Sequence, residues 1–403
     1  MPSTRRRLLL SAGALASASL FTRCASVGGA PAPESAPDPF AGPLADPAFA
    51  DAVSVSDLHA IALRRMPPMA REFIEGAAAD EISLRWNREA YDRIRLDPRV
   101  LRDVSRVDTR VKLLGLDLAF PVLLAPTALH KLVHSDGELA TVRGAGAAQA
   151  AMTLSTMSSV TLEDVARASS GPLWFQLYVQ KDRGFTAELV QRAEKAGYKA
   201  LVVTVDTPVG GARNRQERAK FRLLPGVEMA NLRGLPSPGG KKLDTEKDAF
   251  MSILPERLTW KDIEWLQSLT KLPVLLKGVL NADDAELAAK QGLAGVLVSN
   301  HGARNLDTVP ASIDALPRIT DKVGGRMVVL VDGGVRRGTD VLKALAFGAN
   351  AVLVGRPIFY GLSSAGAEGV QQMLAILRRE LELAMALTGR ASIAEIDRSV
   401  LWA

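Results

Sequence analysis

Apolar residues along the chain gather into eight short runs, and the longer stretches between several of them carry apolar positions at a helical period. The runs fall at 121–125 (Pro-Val-Leu-Leu-Ala), 152–155 (Met-Thr-Leu-Ser), 173–178 (Leu-Trp-Phe-Gln-Leu-Tyr) and 200–206 (Ala-Leu-Val-Val-Thr-Val-Asp). The other four are 273–277 (Pro-Val-Leu-Leu-Lys), 295–299 (Gly-Val-Leu-Val-Ser), 328–332 (Val-Val-Leu-Val-Asp) and 351–355 (Ala-Val-Leu-Val-Gly). Runs this short and this continuously apolar mark parallel strands covered on both faces. The windows Thr186–Gly197, Asp283–Gly292 and Thr339–Gly348 read as amphipathic helices, each stopped by a glycine. Eight strand–helix repeats predict an α/β fold, a closed (β/α)8 barrel of the TIM type, with a doubly wound open sheet as the alternative.

Two segments stand outside the repeat. Residues 51–110 precede the first strand and look helical, which predicts a cap over one end of the barrel. More than sixty residues separate the fourth and fifth strands, and Leu224–Leu254 within them is rich in Gly, Pro and Lys. A connection that long is a lid or an insertion.

The first thirty residues do not read as fold. Thr4-Arg5-Arg6-Arg7-Leu8-Leu9 is followed by small and apolar residues to Thr22, then by Val27-Gly28-Gly29-Ala30. A charged start, a short apolar run and a small-residue exit predict a signal peptide of twin-arginine type over 1–30, and hence a periplasmic protein. The apolar run is too short to span a bilayer comfortably. Residues 31–50, rich in Pro and Ala, read as a linker to a folded domain over 51–403.

Charge and cysteine content narrow the classes. The formal net charge is +6, and four arginines lie before residue 31 with no acidic residue among them, so the remainder carries +2. No basic stripe with interleaved aromatics remains to suggest nucleic acid. The single cysteine, Cys24, excludes an internal disulfide and a cysteine-based metal site. Cys24 has one alternative reading, as a lipid-attachment point. Nothing in the sequence predicts a metal.

The strand ends carry the chemistry. Pro126-Thr127-Ala128, Ser155, Gln176, Tyr178, Thr204, Asp206, Lys277, Ser299 and His301 all stand there, as do Asp332-Gly333-Gly334 and Gly355-Arg356. Reactive groups of such barrels gather at these ends. Polar groups ending apolar strands would be costly if left unpaired, so they predict a ligand rich in hydrogen-bonding groups. Asp332-Gly333-Gly334-Val335-Arg336 and Gly355-Arg356-Pro357 follow the seventh and eighth strands, the usual phosphate-binding turns of this architecture. Arg336 and Arg356 would pair with that phosphate. His301 is a candidate base, with Asp206 as a partner able to stabilise the imidazolium. Arg304 offers a planar fork for a carboxylate and Arg213 a second cation. Lys277 reads either as a Schiff-base former, as in an aldolase, or as a stabiliser of negative charge.

Five segments together resemble the FMN-dependent α-hydroxy-acid oxidase and dehydrogenase family, which includes glycolate oxidase, lactate oxidase, L-lactate dehydrogenase and mandelate dehydrogenase. They are Ser-Asn-His-Gly-Ala-Arg-Asn-Leu-Asp (299–307), Phe-Gln-Leu-Tyr (175–178), Thr-Val-Asp-Thr-Pro (204–208), Leu-Lys-Gly-Val (276–279) and Asp-Gly-Gly-Val-Arg-Arg-Gly-Thr-Asp (332–340). The likeness runs from about Val53 to the C-terminus. It implies a barrel holding FMN that oxidises a small L-2-hydroxy acid to the 2-oxo acid and passes electrons to a quinone, a cytochrome or O2. It implies His301 as base with Asp206 beside it, Arg213 and Arg304 on the substrate carboxylate, and Tyr178 on the hydroxyl. Lys277 would sit at the flavin N1–C2 carbonyl. Ala128, Ser155, Gln176, Thr204 and Ser299 would line the isoalloxazine, with Pro126 and Thr127 also at the cofactor. Asp332, Gly333, Gly334, Arg336, Gly355 and Arg356 would hold the ribityl phosphate chain. A homotetramer is implied as well. Phe73 stands where the family usually has a carboxylate-binding tyrosine, and Met157 where glycolate oxidase has a large aromatic. Readings from other classes are an FMN-assisted isomerase and a flavin-binding barrel without turnover.

Overall fold

Ten strands appear among the described residues, which are 46–235 and 258–402 of the computed structural model and all belong to the unit beginning at Phe40. The predicted signal peptide, Cys24, most of the linker and residues 236–254 of the 224–254 connection lie outside these residues. Strands β1 (Val111–Leu113) and β2 (Leu116–Leu118) form an antiparallel hairpin. The other eight are β3 (Val122–Leu124), β4 (Met152–Ser155), β5 (Leu173–Leu177) and β6 (Leu201–Thr204), then β7 (Val274–Val279), β8 (Gly295–Val298), β9 (Val328–Val331) and β10 (Ala351–Val354). They pair in parallel and close in the order β10-β3-β4-β5-β6-β7-β8-β9, the eight-stranded barrel that the apolar runs predict. The three predicted helical windows form helices Arg183–Lys195, Ala282–Lys290 and Gly338–Ala346, each ending just before its glycine.

Alternation along each strand divides the apolar residues between two cores. Leu123, Trp174, Val202, Leu275, Leu297, Leu330 and Leu353 form one buried cluster, joined by Leu113 and Leu118 of the hairpin. Their neighbours Val122, Leu124, Phe175, Leu201, Val203, Leu276 and Val329 belong to the larger cluster shared with the helices. Burying each such side chain is worth roughly 1.5–3 kcal/mol. The hairpin packs with Ala151, Ala200 and Ala351 at the strand starts, so it closes the amino end of the barrel. Continuing the inner alternation one or two steps reaches Gln176 and Tyr178, Thr204 and Asp206, Lys277, Ser299 and His301, and Asp332. One face of the pleat therefore carries the barrel filling and then the polar mouth.

The segment 51–110 is helical only as far as Arg93, in α1 (Val55–Arg65), α2 (Pro68–Glu75) and α3 (Ile82–Arg93). Asp97-Pro98 follows, and a proline turns the residue before it away from helix. Helices α2 and α3 sit over the carboxyl end of the barrel. The Ala78 amide between them donates to the Ala303 carbonyl (2.8 Å), and Asn87 of α3 forms a reciprocal amide pair with Asn300 (3.0 and 2.9 Å).

Candidate active site

The polar mouth opens into a cleft of about 900 Å³, its entrance included. Pro126, Thr127, Ala128, Ser155, Tyr178 and Lys277 form part of its wall, as do His301 and Arg304. The turns after β9 and β10 add Asp332, Gly333, Gly334, Arg336, Gly355 and Arg356, and α2 adds Phe73. Gln176, Thr204, Ser299, Asp206 and Arg213 stand one layer behind the wall rather than on it. Ser155 Oγ donates to Gln176 Oε1 (3.2 Å), and Gln176 Nε2 donates to Thr204 Oγ1 (2.9 Å). Ser299 Oγ accepts from Lys277 Nζ (3.1 Å), and Arg213 Nε donates to the Arg304 carbonyl (3.3 Å).

His301 is held from two sides. Its Nδ1 lies 2.9 Å from Asp206 Oδ1, and its amide donates to Ser299 Oγ (3.0 Å). An ionised carboxylate only accepts, so Nδ1 carries the proton and Nε2 keeps a lone pair. His301, Gly302 and Ala303 all have left-handed φ (59°, 61° and 64°), an uncommon conformation for histidine and alanine. Asn300 steadies this turn by accepting from the Ala303 amide (3.1 Å). Burial holds His301 below its usual pKa; Asp206 pulls it upward, and Lys277 and Arg213 add to the lowering. For Asp206, burial pushes upward, but its interactions with His301 and Lys277 outweigh it and hold the carboxyl low. Both directions agree with an ionised Asp206 accepting from His301 Nδ1.

Gly278 makes room for that carboxylate. A bulge interrupts β7 between Lys277 and Val279, and Gly278 has φ 105°. A Cβ there would stand 2.4 Å from Asp206 Cβ and Cγ. Bulges beside reactive centres commonly re-aim a side chain. Packing also demands glycine at 334: a Cβ there would stand 2.0 Å from the Asn87 carbonyl of α3, and its φ is 86°.

Lys277 is buried, and its Nζ lies 3.6 Å from Asp332 Oδ2 as well as on Ser299. A lysine fixed between a carboxylate and a hydroxyl is placed to stabilise negative charge rather than to attack a carbonyl. Asp332 Oδ1 is buried with no partner among the described residues. On a cleft wall it suits a hydroxyl donor such as a ribityl chain. The helix Arg356–Leu387 starts at this wall with Gly355 as its cap, and a helix N-terminus favours an anion. Arg336 stands beside it over the Tyr360 ring, 5.5 Å from its centroid. A cation, an acceptor for hydroxyls and a helix N-terminus with arginines are the donor set FMN needs, so the residues fit that cofactor.

Arg304 and Arg356 also grip protein. Arg304 Nη1 donates to the carbonyls of Phe73 (2.7 Å) and Gly76 (3.0 Å), and its Cζ lies 5.1 Å from the Phe73 ring centroid. Arg356 donates to the carbonyls of Ile74 (2.8 Å), Gly76 (3.0 Å) and Gly302 (3.1 Å). Sequence reasoning misses Ile74 and Phe359 on the wall. Neither stands at a strand end, where the sequence signal lay.

A sequence profile described as FMN-dependent dehydrogenase matches residues 62–403. The chain belongs to this family. As a member it is an FMN-dependent oxidoreductase. It is 47% identical over 352 residues to a 2-hydroxyacid oxidase of Dictyostelium discoideum, covering 87% of this chain and 90% of the relative. It is 46% identical over 364 residues to an L-lactate oxidase of a Nostoc species, covering 88% and 99%. A solved structure of mandelate oxidase superimposes with a TM-score of 0.81 at 41% identity, over 87% of this chain and 98% of the other.

Proposed function

We propose that this FMN enzyme oxidises a small L-2-hydroxy acid to the corresponding 2-oxo acid, with His301 as its base. The observation that carries the reading is the His301–Asp206 pair at 2.9 Å, sharing one cleft with Arg304 and Tyr178. His301 Nε2 accepts the proton the substrate loses from its hydroxyl or α-carbon, and Asp206 stabilises the imidazolium that results. Arg304, with Arg213 behind it, holds the carboxylate, and Tyr178 binds the hydroxyl oxygen. FMN, when bound, accepts the two electrons. Lys277 would provide positive charge for the flavin ring, and Asp332 would accept from the ribityl chain. Phe73, Met157 and Ala128 supply apolar wall beside these groups, which favours a substrate with a hydrocarbon side chain.

The named relatives are oxidases, which supports O2 over a quinone or cytochrome as the acceptor. We further propose export by the twin-arginine segment at 1–30, with residence in the periplasm, and a homotetramer. Anaerobic mixing of the yellow protein with a panel of L-2-hydroxy acids tests the central reading. At least one acid should bleach the flavin within the mixing experiment, and readmitted O2 should restore it. A protein that no 2-hydroxy acid bleaches does not have this activity. Recovery with a quinone analogue but not with O2 would reverse the choice of acceptor.

A further inference from the structure

The carboxyl end of α2 connects two regions of the cleft that the proposed function uses separately. The last carbonyls of a helix lack intrahelical partners. Here two arginines, far apart in sequence, supply them. Arg304 follows β8 and takes the Phe73 and Gly76 carbonyls. Arg356 follows β10 and takes the Ile74 and Gly76 carbonyls. The Gly76 carbonyl is therefore shared, at 3.0 Å from each guanidinium. A second link runs through Gly302, two residues before Arg304, whose carbonyl accepts from Arg356 Nη1 (3.1 Å). A guanidinium has five N–H groups, so Arg356 keeps two for a ligand after these three bonds.

The shared end of α2 is itself fixed. A Cβ on Gly76 would stand 2.6 Å from the Glu72 carbonyl, which already accepts the Gly76 amide. Glu72 is held by Arg215 at 2.6 and 3.0 Å, two residues beyond Arg213. Because the Gly76 carbonyl accepts from both guanidinium groups on this restrained end, the placement of one arginine bears directly on that of the other.

We propose that the carboxyl end of α2 positions Arg304 in response to the cofactor phosphate, so that phosphate on Arg356 tightens the grip on the substrate carboxylate. The inference rests on the 2-hydroxy-acid reading, in which Arg304 meets the carboxylate and Arg356 the phosphate. Linkage makes the effect reciprocal, so a bound carboxylate also tightens binding at the phosphate end. Arg356 and Gly76 act on the carboxylate through Arg304 and are positioning residues in that respect.

Riboflavin carries the same ring and ribityl chain as FMN without the phosphate, and so isolates the effect. The flavin-free protein is reloaded with FMN or with riboflavin, and each form is titrated with oxalate while the flavin absorption spectrum is followed. The oxalate Kd should be at least about fivefold weaker in the riboflavin form, the lower range of typical couplings. Inorganic phosphate added to that form should recover most of the difference. The FMN-loaded Arg356→Lys variant keeps the charge but cannot reproduce three carbonyl bonds, and it should also bind oxalate more weakly. That variant carries the test alone if riboflavin is not retained. Equal oxalate Kd in the FMN and riboflavin forms, or an unchanged Kd in Arg356→Lys, overturns the coupling. Failure of every hydroxy acid to bleach the FMN form would instead strike the proposed reaction, a result read in a different experiment.

Discussion

At the scale of single residues, the decisive balance is the one that keeps His301 neutral. Burial lowers its pKa and Asp206 partly restores it, and the net direction is downward. A base works when deprotonated, so the rate of flavin reduction should rise with pH and level off below the ordinary histidine value of about 6.5. Asp206→Asn removes the charge and the acceptor that raise that pKa. Its rising limb should shift to lower pH while the plateau itself falls, because the imidazolium loses its stabilising partner. A limb that moves to higher pH in the variant would contradict the assigned balance. His301→Asn should slow reduction by about 10²–10⁴-fold, the usual worth of a positioned base. Oxalate binding should change far less, since His301 is not among the proposed carboxylate donors. Stopped-flow flavin bleaching measures the first effect and spectral titration the second.

At the scale of elements, the loop after β8 both carries the base and fastens the cap. Asp307, which closes the sequence motif around His301, touches no reacting group. Its Oδ2 accepts the amides of Asp80 (3.1 Å) and Ile82 (3.2 Å), and its Oδ1 that of Ser83 (2.8 Å). It thus caps α3 from across the sequence, a task that the helix's own N-cap residue, Glu81 in a left-handed conformation, does not perform. Asp307→Ala should cost about 1–2 kcal/mol, the upper range for losing one capping side chain, read as a lower urea midpoint with unchanged slope. The barrel strands were legible because each is a short, unbroken apolar run. The hairpin was not, because Val111-Lys112-Leu113 and Leu116-Asp117-Leu118 are too short to show a period. The polar mouth was legible as strand ends, and the alternation that sends Gln176, Thr204, Asp206 and Asp332 to one side explains why. Asn87, Ile74 and the carbonyls of α2 left no mark in the sequence. They reach the site only through packing against loops more than two hundred positions away.

At the scale of the whole molecule, buried His130 and partly buried His301 tie stability to pH with the same sign. His130 is fully buried between Thr127 Oγ1 (2.7 Å) and Thr141 Oγ1 (2.8 Å), and burial holds its pKa below 6.5. His301 is lowered as well. A folded-state pKa below the unfolded value means that the unfolded chain takes up the proton first as pH falls. The stabilisation from keeping these rings neutral is present above about pH 6.5 and is lost as pH falls through the folded values. Carboxylates held low in the fold, Asp206 among them, add a separate loss at more acidic pH. The melting temperature should therefore fall in two stages on acidification, the first in the histidine range. His130→Gln keeps a polar side chain between the two threonines without a titrating ring, and should shrink that first stage even if it lowers the melting temperature overall. Thermal melts of both proteins across the range decide the matter: if the first stage keeps its full size in His130→Gln, the assignment to this buried ring is wrong.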